Sequence, residues 1–148
     1  MKKVVIISMS VLAAAVVIAI LSFRSAGRTV NEEKSMVAGD KVEVIYFHFT
    51  RRCVTCQAVE NVTGETVRTL YPDQLKNGNV SFTAVNLDEE SSKPIAERCK
   101  VTGQTLLVLS GDVRVDLTDK GFMYATTSPD KLKAEIKKTI DPLLNPVK

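Results

Sequence analysis

The stretch VEVIYFHFTRRCVTCQAVE, residues 42–60, changes character partway along. Residues 42–49 are dense in β-branched and aromatic side chains with almost no polar face, the pattern of a central strand buried on both sides. Two arginines and a Cys-x-x-Cys follow. Beyond Cys53, the residues Val59, Val62, Val67 and Leu70 recur at spacings of three, five and three, an imperfect helical stripe with Gly64 as its weak point. Tyr71-Pro72-Asp73 reads as the stop. The strand therefore delivers the chain to a cysteine pair at the opening of a helix.

Working outward, residues 79–88, NVSFTAVNLD, alternate and then turn polar, which predicts a second strand whose tip reaches DEESS. A helix follows, with Ser92 as its cap and Pro94 at an early position where a missing N–H costs nothing. Ile95 and Cys99 fall four apart on one face of it. QTLLVLS, 104–110, reads as a buried strand, Gly111-Asp112 as a tight hairpin turn, and VRVDL, 113–117, as its alternating partner at an exposed edge. Ser128-Pro129 starts a last helix in which Leu132, Ile136 and Ile140 recur every four residues, expected to end before Pro142. The order is β-α-β-α-β-β-α. Right-handed crossovers make the first strands parallel, the final hairpin extends the sheet antiparallel, and helices cover both faces, an α/β three-layer fold with a mixed central sheet.

The chain has 148 residues and a formal net charge of +3, with basic and acidic residues interspersed from Arg24 onward. One domain is expected, and no nucleic-acid or polyanion partner is implied. From Val4 to Phe23 twenty residues pass without a charge, enough to span a bilayer core as a helix. The run is longer than a signal-peptide core, and SFRSAGR after it offers no small-x-small cleavage site, so an uncleaved anchor is expected over residues 1–23. Residues 24–40 then read as a tether and 41–148 as the domain. Lys2 and Lys3 precede the run while Arg24, Arg28 and Lys34 follow it, a balance that leans toward a cytoplasmic amino terminus. The expectation is a single-pass protein of the bacterial inner membrane with its domain facing the periplasm or exterior, where cysteine pairs can be oxidised.

Two cysteines at i and i+3 of a first helical turn share a face at a separation a disulfide can bridge. Free N–H groups and the helix dipole favour a thiolate at the first, so Cys53 is the better nucleophile, and Arg51 and Arg52 add charge of the same sense. A structural zinc site would need His48 and Cys99 as well as both members of the pair. A permanent staple would close a tiny loop and stabilise little. His48, five residues before Cys53, reads either as a base or thiolate partner, or as a buried histidine with a backbone partner. Cys99 reads either as a small core residue or as a third thiol within reach. Glu60 bonds the helix or assists protons.

The element order together with Cys-Val-Thr-Cys after the first strand resembles the thioredoxin superfamily over residues 41–141. The resemblance implies that Cys53 attacks a target disulfide and Cys56 resolves the mixed disulfide. It implies a protein thiol or disulfide as partner and no cofactor beyond the redox-active Cys53–Cys56 pair. Several family features are absent. Gln104, in VTGQT, stands where a cis-proline packs against the sulfurs in thioredoxins, the buried aspartate is replaced by Tyr46 or Phe47, and there is no tryptophan. Arg52, Thr102 and Gln104 are the candidate binding residues around the pair. The strings YFHFTRRCVTCQAVE and VTGQTLLVL are also similar to a small bacterial group, the ArsF-type nitrophenyl-compound nitroreductase subunit, although nothing in these residues binds a flavin or nicotinamide.

The function these readings favour is a membrane-anchored thiol-disulfide oxidoreductase. The alternative is a dithiol accessory subunit that holds a soft ion such as arsenite, copper(I) or part of an iron-sulfur cluster, or that serves a nitroreductase-type partner.

Overall fold

The computed structural model describes residues 41–145. The apolar run 4–23 and the tether 24–40 lie outside them. Among the described residues no helix is long and apolar enough to cross a membrane.

Strand β1, Val42–His48, lies in the middle of a four-stranded sheet of order β2-β1-β3-β4. It pairs in parallel with β2, Val80–Asn86, as the crossover rule requires, and antiparallel with β3, Thr105–Ser110. The edge strand β4, Val113–Asp116, completes the hairpin through Gly111, whose φ of 55 is one glycine adopts without strain. Five α-helices are described, α1 (Val54–Leu70), α2 (Pro72–Asn77), α3 (Lys93–Arg98), α4 (Thr118–Tyr124) and α5 (Pro129–Leu144), with a short 3₁₀ turn, Glu90–Ser92, before α3.

Because successive strand side chains point to opposite faces, β1 serves two cores. Val42, Val44 and Tyr46 pack with Val59 and Val67 of α1, Leu106 and Val108 of β3, and Leu132, Ile136 and Ile140 of α5. Ile45 and Phe47 pack on the opposite face with Val85, Leu107, Cys99 and Val101, against Ile95 and Ala96 of α3. Each aliphatic side chain fully withdrawn from water in these layers contributes roughly 1.5–3 kcal/mol.

Four local expectations are corrected. Gly64 is no weak point in α1, which runs through it. A Cβ there would come within 2.8 Å of the Phe82 ring on β2, so the missing side chain lets helix and strand approach. Tyr71-Pro72-Asp73 ends α1 but starts α2, with Pro72 in its first turn. Ser92 stands before α3 without capping it; its hydroxyl donates instead to the Asn86 carbonyl at 2.6 Å, tying the turn to the end of β2. The last helix continues through Pro142 to Leu144, since one hydrogen bond lost near a helix end is offset by packing Leu143 and Leu144 on the core.

Helix α4 was not legible as a helix. Its start is fixed by Asp116, whose carboxylate accepts the Thr118 N–H at 2.9 Å. Gly121 in its middle lets it lie against α1, because a Cβ there would meet Val59 at 3.2 Å. At the end of α3 the backbone closes with Val101 N–H on the Ala96 carbonyl (2.9 Å) and Lys100 N–H on the Glu97 carbonyl (3.0 Å), a Schellman motif that forces Lys100 to φ 50.

Candidate functional site at the β1–α1 junction

The loop 49–52 between β1 and α1 is held to the end of β2. Leu87 N–H donates to the His48 carbonyl at 2.7 Å, Thr50 N–H to the Asp88 carboxylate at 2.8 Å, and Asn86 Nδ2 to the Thr50 hydroxyl at 3.0 Å. Asp88 is held below the usual carboxylate range first by the Thr50 backbone N–H and then by the Thr50 side chain. This latch fixes where α1 begins.

Cys53 occupies the N-cap of α1 in extended backbone conformation, and its sulfur accepts the Cys56 N–H at 3.3 Å. A sulfur in that place satisfies one of the helix's free N–H groups as a capping oxygen would. The Cys56 thiol, and then the backbone N–H groups of Cys56 and Thr55, hold the Cys53 thiol below its ordinary range. The expected help from the arginines is not the main source of that lowering. Arg52 is ion-paired with Glu60, in the second turn of α1, and Arg51 is exposed. Glu60 therefore has a defined role as the partner of Arg52.

The two thiols differ sharply in access. Cys53 is exposed, Cys56 is 3% exposed, and both stand as free thiols. Cys56 donates its S–H to the Gln104 side-chain carbonyl at 3.2 Å, and since a thiol has one hydrogen this donation and the one that favours the Cys53 thiolate exclude each other. Gln104 thus reaches the second sulfur from the loop before β3, where a proline was expected in a thioredoxin, and no peptide bond among the described residues is cis. Thr102 is exposed on the same loop, and Val54, 78% exposed, stands beside Cys53 on the surface.

The remaining sequence candidates lie close by or apart. His48 is buried on β1, its Nδ1 bonded to the Phe49 carbonyl at 3.0 Å and its ring 5.9 Å from that of Tyr46. Since a carbonyl only accepts, this bond puts the proton on Nδ1. Cys99 belongs to the core on the opposite face of the sheet from Tyr46 and α1, with its thiol pushed up by burial. It is a core residue and supplies no third thiol to the pair. Among the described residues no three His, Cys, Asp or Glu side chains come together as a metal-holding group.

Sequence reasoning missed Tyr46, read there as an apolar replacement for an aspartate. It is 0% exposed, and its hydroxyl, with no hydrogen-bond partner among the described residues, faces the cysteine pair. Burial first, and then the nearby Cys56, push its ionisation above the ordinary tyrosine range. The one available signal was parity. Residues 42, 44 and 46 alternate toward the α1 side, so a hydroxyl at 46 had to end beneath the start of α1.

A central strand parallel to β2 and antiparallel to β3, an antiparallel edge beyond, a Cys-x-x-Cys at the β1–α1 junction and a β3 loop that meets the second cysteine make one pattern. The fold is thioredoxin-like. No family model and no curated protein matches the chain. Among solved structures it is similar to thioredoxin O2 from Arabidopsis thaliana in its oxidised state, at 21% identity over 67% of this chain and 75% of that one, with a TM-score of 0.47. It is also similar to the oxidised mitochondrial thioredoxin 3 from Saccharomyces cerevisiae, at 25% identity over 68% and 79% of the two chains and a TM-score of 0.42. A thioredoxin from Malassezia sympodialis is similar at 24% identity over 74% and 84%, with a TM-score of 0.44. The narrower resemblance to the ArsF-type group stands on the sequence strings alone.

Proposed function

We propose that the chain is a thiol-disulfide oxidoreductase acting on a protein thiol or disulfide through Cys53 and Cys56. The observation that carries this reading is the asymmetry of the pair, an exposed thiol held below its ordinary range at the cap of α1 with a buried thiol one turn behind it. In the reducing direction the Cys53 thiolate attacks a target disulfide, forming a Cys53–target bond and releasing one target thiolate, which takes a proton from water. Cys56 then loses its proton and attacks Cys53 Sγ, so the Cys53–target bond breaks and the second target sulfur leaves with the electron pair. Two electrons pass from the dithiol to the target, and the Cys53–Cys56 disulfide remains. The oxidising direction is the same sequence reversed.

Exposed Val54 and Thr102 and half-buried Gln104 frame the surface around Cys53 and are the groups a bound partner segment would meet first. Arg52, committed to Glu60, orders the helix start more than it binds. The charge-free run 4–23 supports a membrane anchor for this activity, with the domain held on the periplasmic or exterior side, where an oxidised pair persists.

The test is substitution of each cysteine in turn. Cys53→Ser abolishes turnover, whereas Cys56→Ser accumulates a mixed disulfide with its target that thiol reductants release. Equal loss of a bound soft ion in both variants, with no adduct from Cys56→Ser, would instead make the pair a ligand site and retire the proposal.

A further inference from the structure

A buried phenol without a hydrogen bond is costly, and a phenylalanine would fill the same space without that cost. Tyr46 has such a hydroxyl, on the sheet face covered by α1. Its nearest chemistry is the cysteine pair, with Arg52 also close by. In the dithiol state Cys56 donates its S–H to the Gln104 carbonyl, and the neutral Cys56 sulfur, the side chain placed to take the Tyr46 O–H, is only a weak acceptor for it. The position changes when Cys56 ionises, because a thiolate is a strong acceptor and hydrogen bonds to ionised groups are about twice as strong as neutral ones.

We propose that the Tyr46 hydroxyl is the hydrogen-bond donor held in place for the Cys56 thiolate, the species that attacks Cys53 Sγ and frees the target. The assignment rests on the exchange reading above. Tyr46 donates a hydrogen bond and keeps its proton; the Cys56 proton leaves to water, and the electron pair of the broken Cys53–target bond goes to the target sulfur. The charged and titratable groups around the phenol have identified partners or roles. Arg52 pairs with Glu60, His48 bonds the Phe49 carbonyl and has Asp88 as its electrostatic neighbour, and Cys53 caps α1. Of the two thiols near Tyr46, Cys56 is the one whose side chain stands as the phenol's hydrogen-bond neighbour, and its ionisation makes it a strong acceptor. A donor built into the core compensates for the penalty of forming a buried charge in the resolving step.

The experiment compares full-length Cys53→Ser with Cys53→Ser/Tyr46→Phe, following Cys56 ionisation by thiolate ultraviolet absorbance and by alkylation rate across pH; Cys99 is common to both. The expected result is that Tyr46→Phe moves the Cys56 transition to higher pH, lowering its thiolate fraction at neutral pH about tenfold, one pKa unit. Thermal stability stays level or rises, since a buried unbonded hydroxyl has been removed. Superimposable pH profiles would overturn the proposal. So would a marked loss of stability, which would place the hydroxyl in the bonding of the fold itself. In the chain with both cysteines, failure to form a reversible Cys53–Cys56 disulfide would sink the oxidoreductase reading while leaving the Cys56 titration legible.

Discussion

The Cys56 thiol, buried one turn inside α1, donates to the side-chain carbonyl of Gln104 across 3.2 Å. The two residues are 48 positions apart, and the contact joins the cysteine helix to the loop before β3. Gln104 therefore covers the second sulfur as well as accepting its hydrogen bond. In a Cys53→Ser background, Gln104→Ala should raise the alkylation rate of Cys56 several-fold at a pH where the thiol is mostly ionised. An unchanged rate would mean that other side chains screen the sulfur.

Cys53 reactivity should follow a pH profile displaced to low pH. A cysteine whose folded value is depressed becomes thiolate earlier as pH rises, so alkylation of Cys53 should reach half its plateau below the free-cysteine value of about 8.5. The same shift makes the thiolate a stabilising feature above that value, lost as pH falls through the folded one. Iodoacetamide kinetics on Cys56→Ala, which removes the side-chain donor that is the largest cause of the lowering, should show the midpoint moved upward.

Asp88 secures the loop that carries Cys53. Its carboxylate is depressed by Thr50, so its contribution is fully present above the unfolded value of about 3.9 and is lost as pH falls through the lower folded value. Asp88→Asn should remove that dependence and speed amide exchange at Thr50. Identical acid-unfolding curves for the two proteins would refute the latch.

Tyr71, at the joint of α1 and α2, donates its hydroxyl to the Asp141 carboxylate at 2.7 Å, which ties the joint to α5. Its ring stays in the core in Tyr71→Phe, so the loss should be that of one charge-assisted bond, about 1.5–3 kcal/mol by denaturant titration. Asp141 is held low chiefly by Lys137 and then by Tyr71, so the variant should also raise the Asp141 transition.

Lys100 sits in the left-handed region because the Schellman closure of α3 demands it. A glycine adopts that conformation without Cβ strain. Lys100→Gly should therefore raise stability by roughly 0.5–1 kcal/mol, and a decrease would show that the lysine side chain contributes more than its backbone costs.

What the sequence made legible was local. The apolar run 42–49, the cysteine spacing and the i, i+4 stripe of the last helix each state their structure within a dozen residues, and β1, α1 and α5 follow from them. Gln104 was found as the residue standing where a proline was expected. The features that escaped depend on distant neighbours. Helix α4 carries Gly121 where a helix pattern shows an apolar residue, because its contact with Val59 leaves no room for one. Pro142 ends a helix by propensity, and only the core beneath Leu143 and Leu144 carries the chain past it. Arg52 beside Cys53 in sequence looked like a charge for the thiol, whereas Glu60, farther along α1, takes it. Tyr46 counted as a bulky apolar residue until the register of β1 set its hydroxyl against the pair.

The measurement that tests the central claim most directly is a dithiol redox titration of the full-length chain, with metal content assayed on the same sample. The account predicts one reversible two-electron transition in metal-free protein that disappears in Cys53→Ser and in Cys56→Ser. A pair that shows no such transition, or that is held reduced by a bound soft metal, would contradict it.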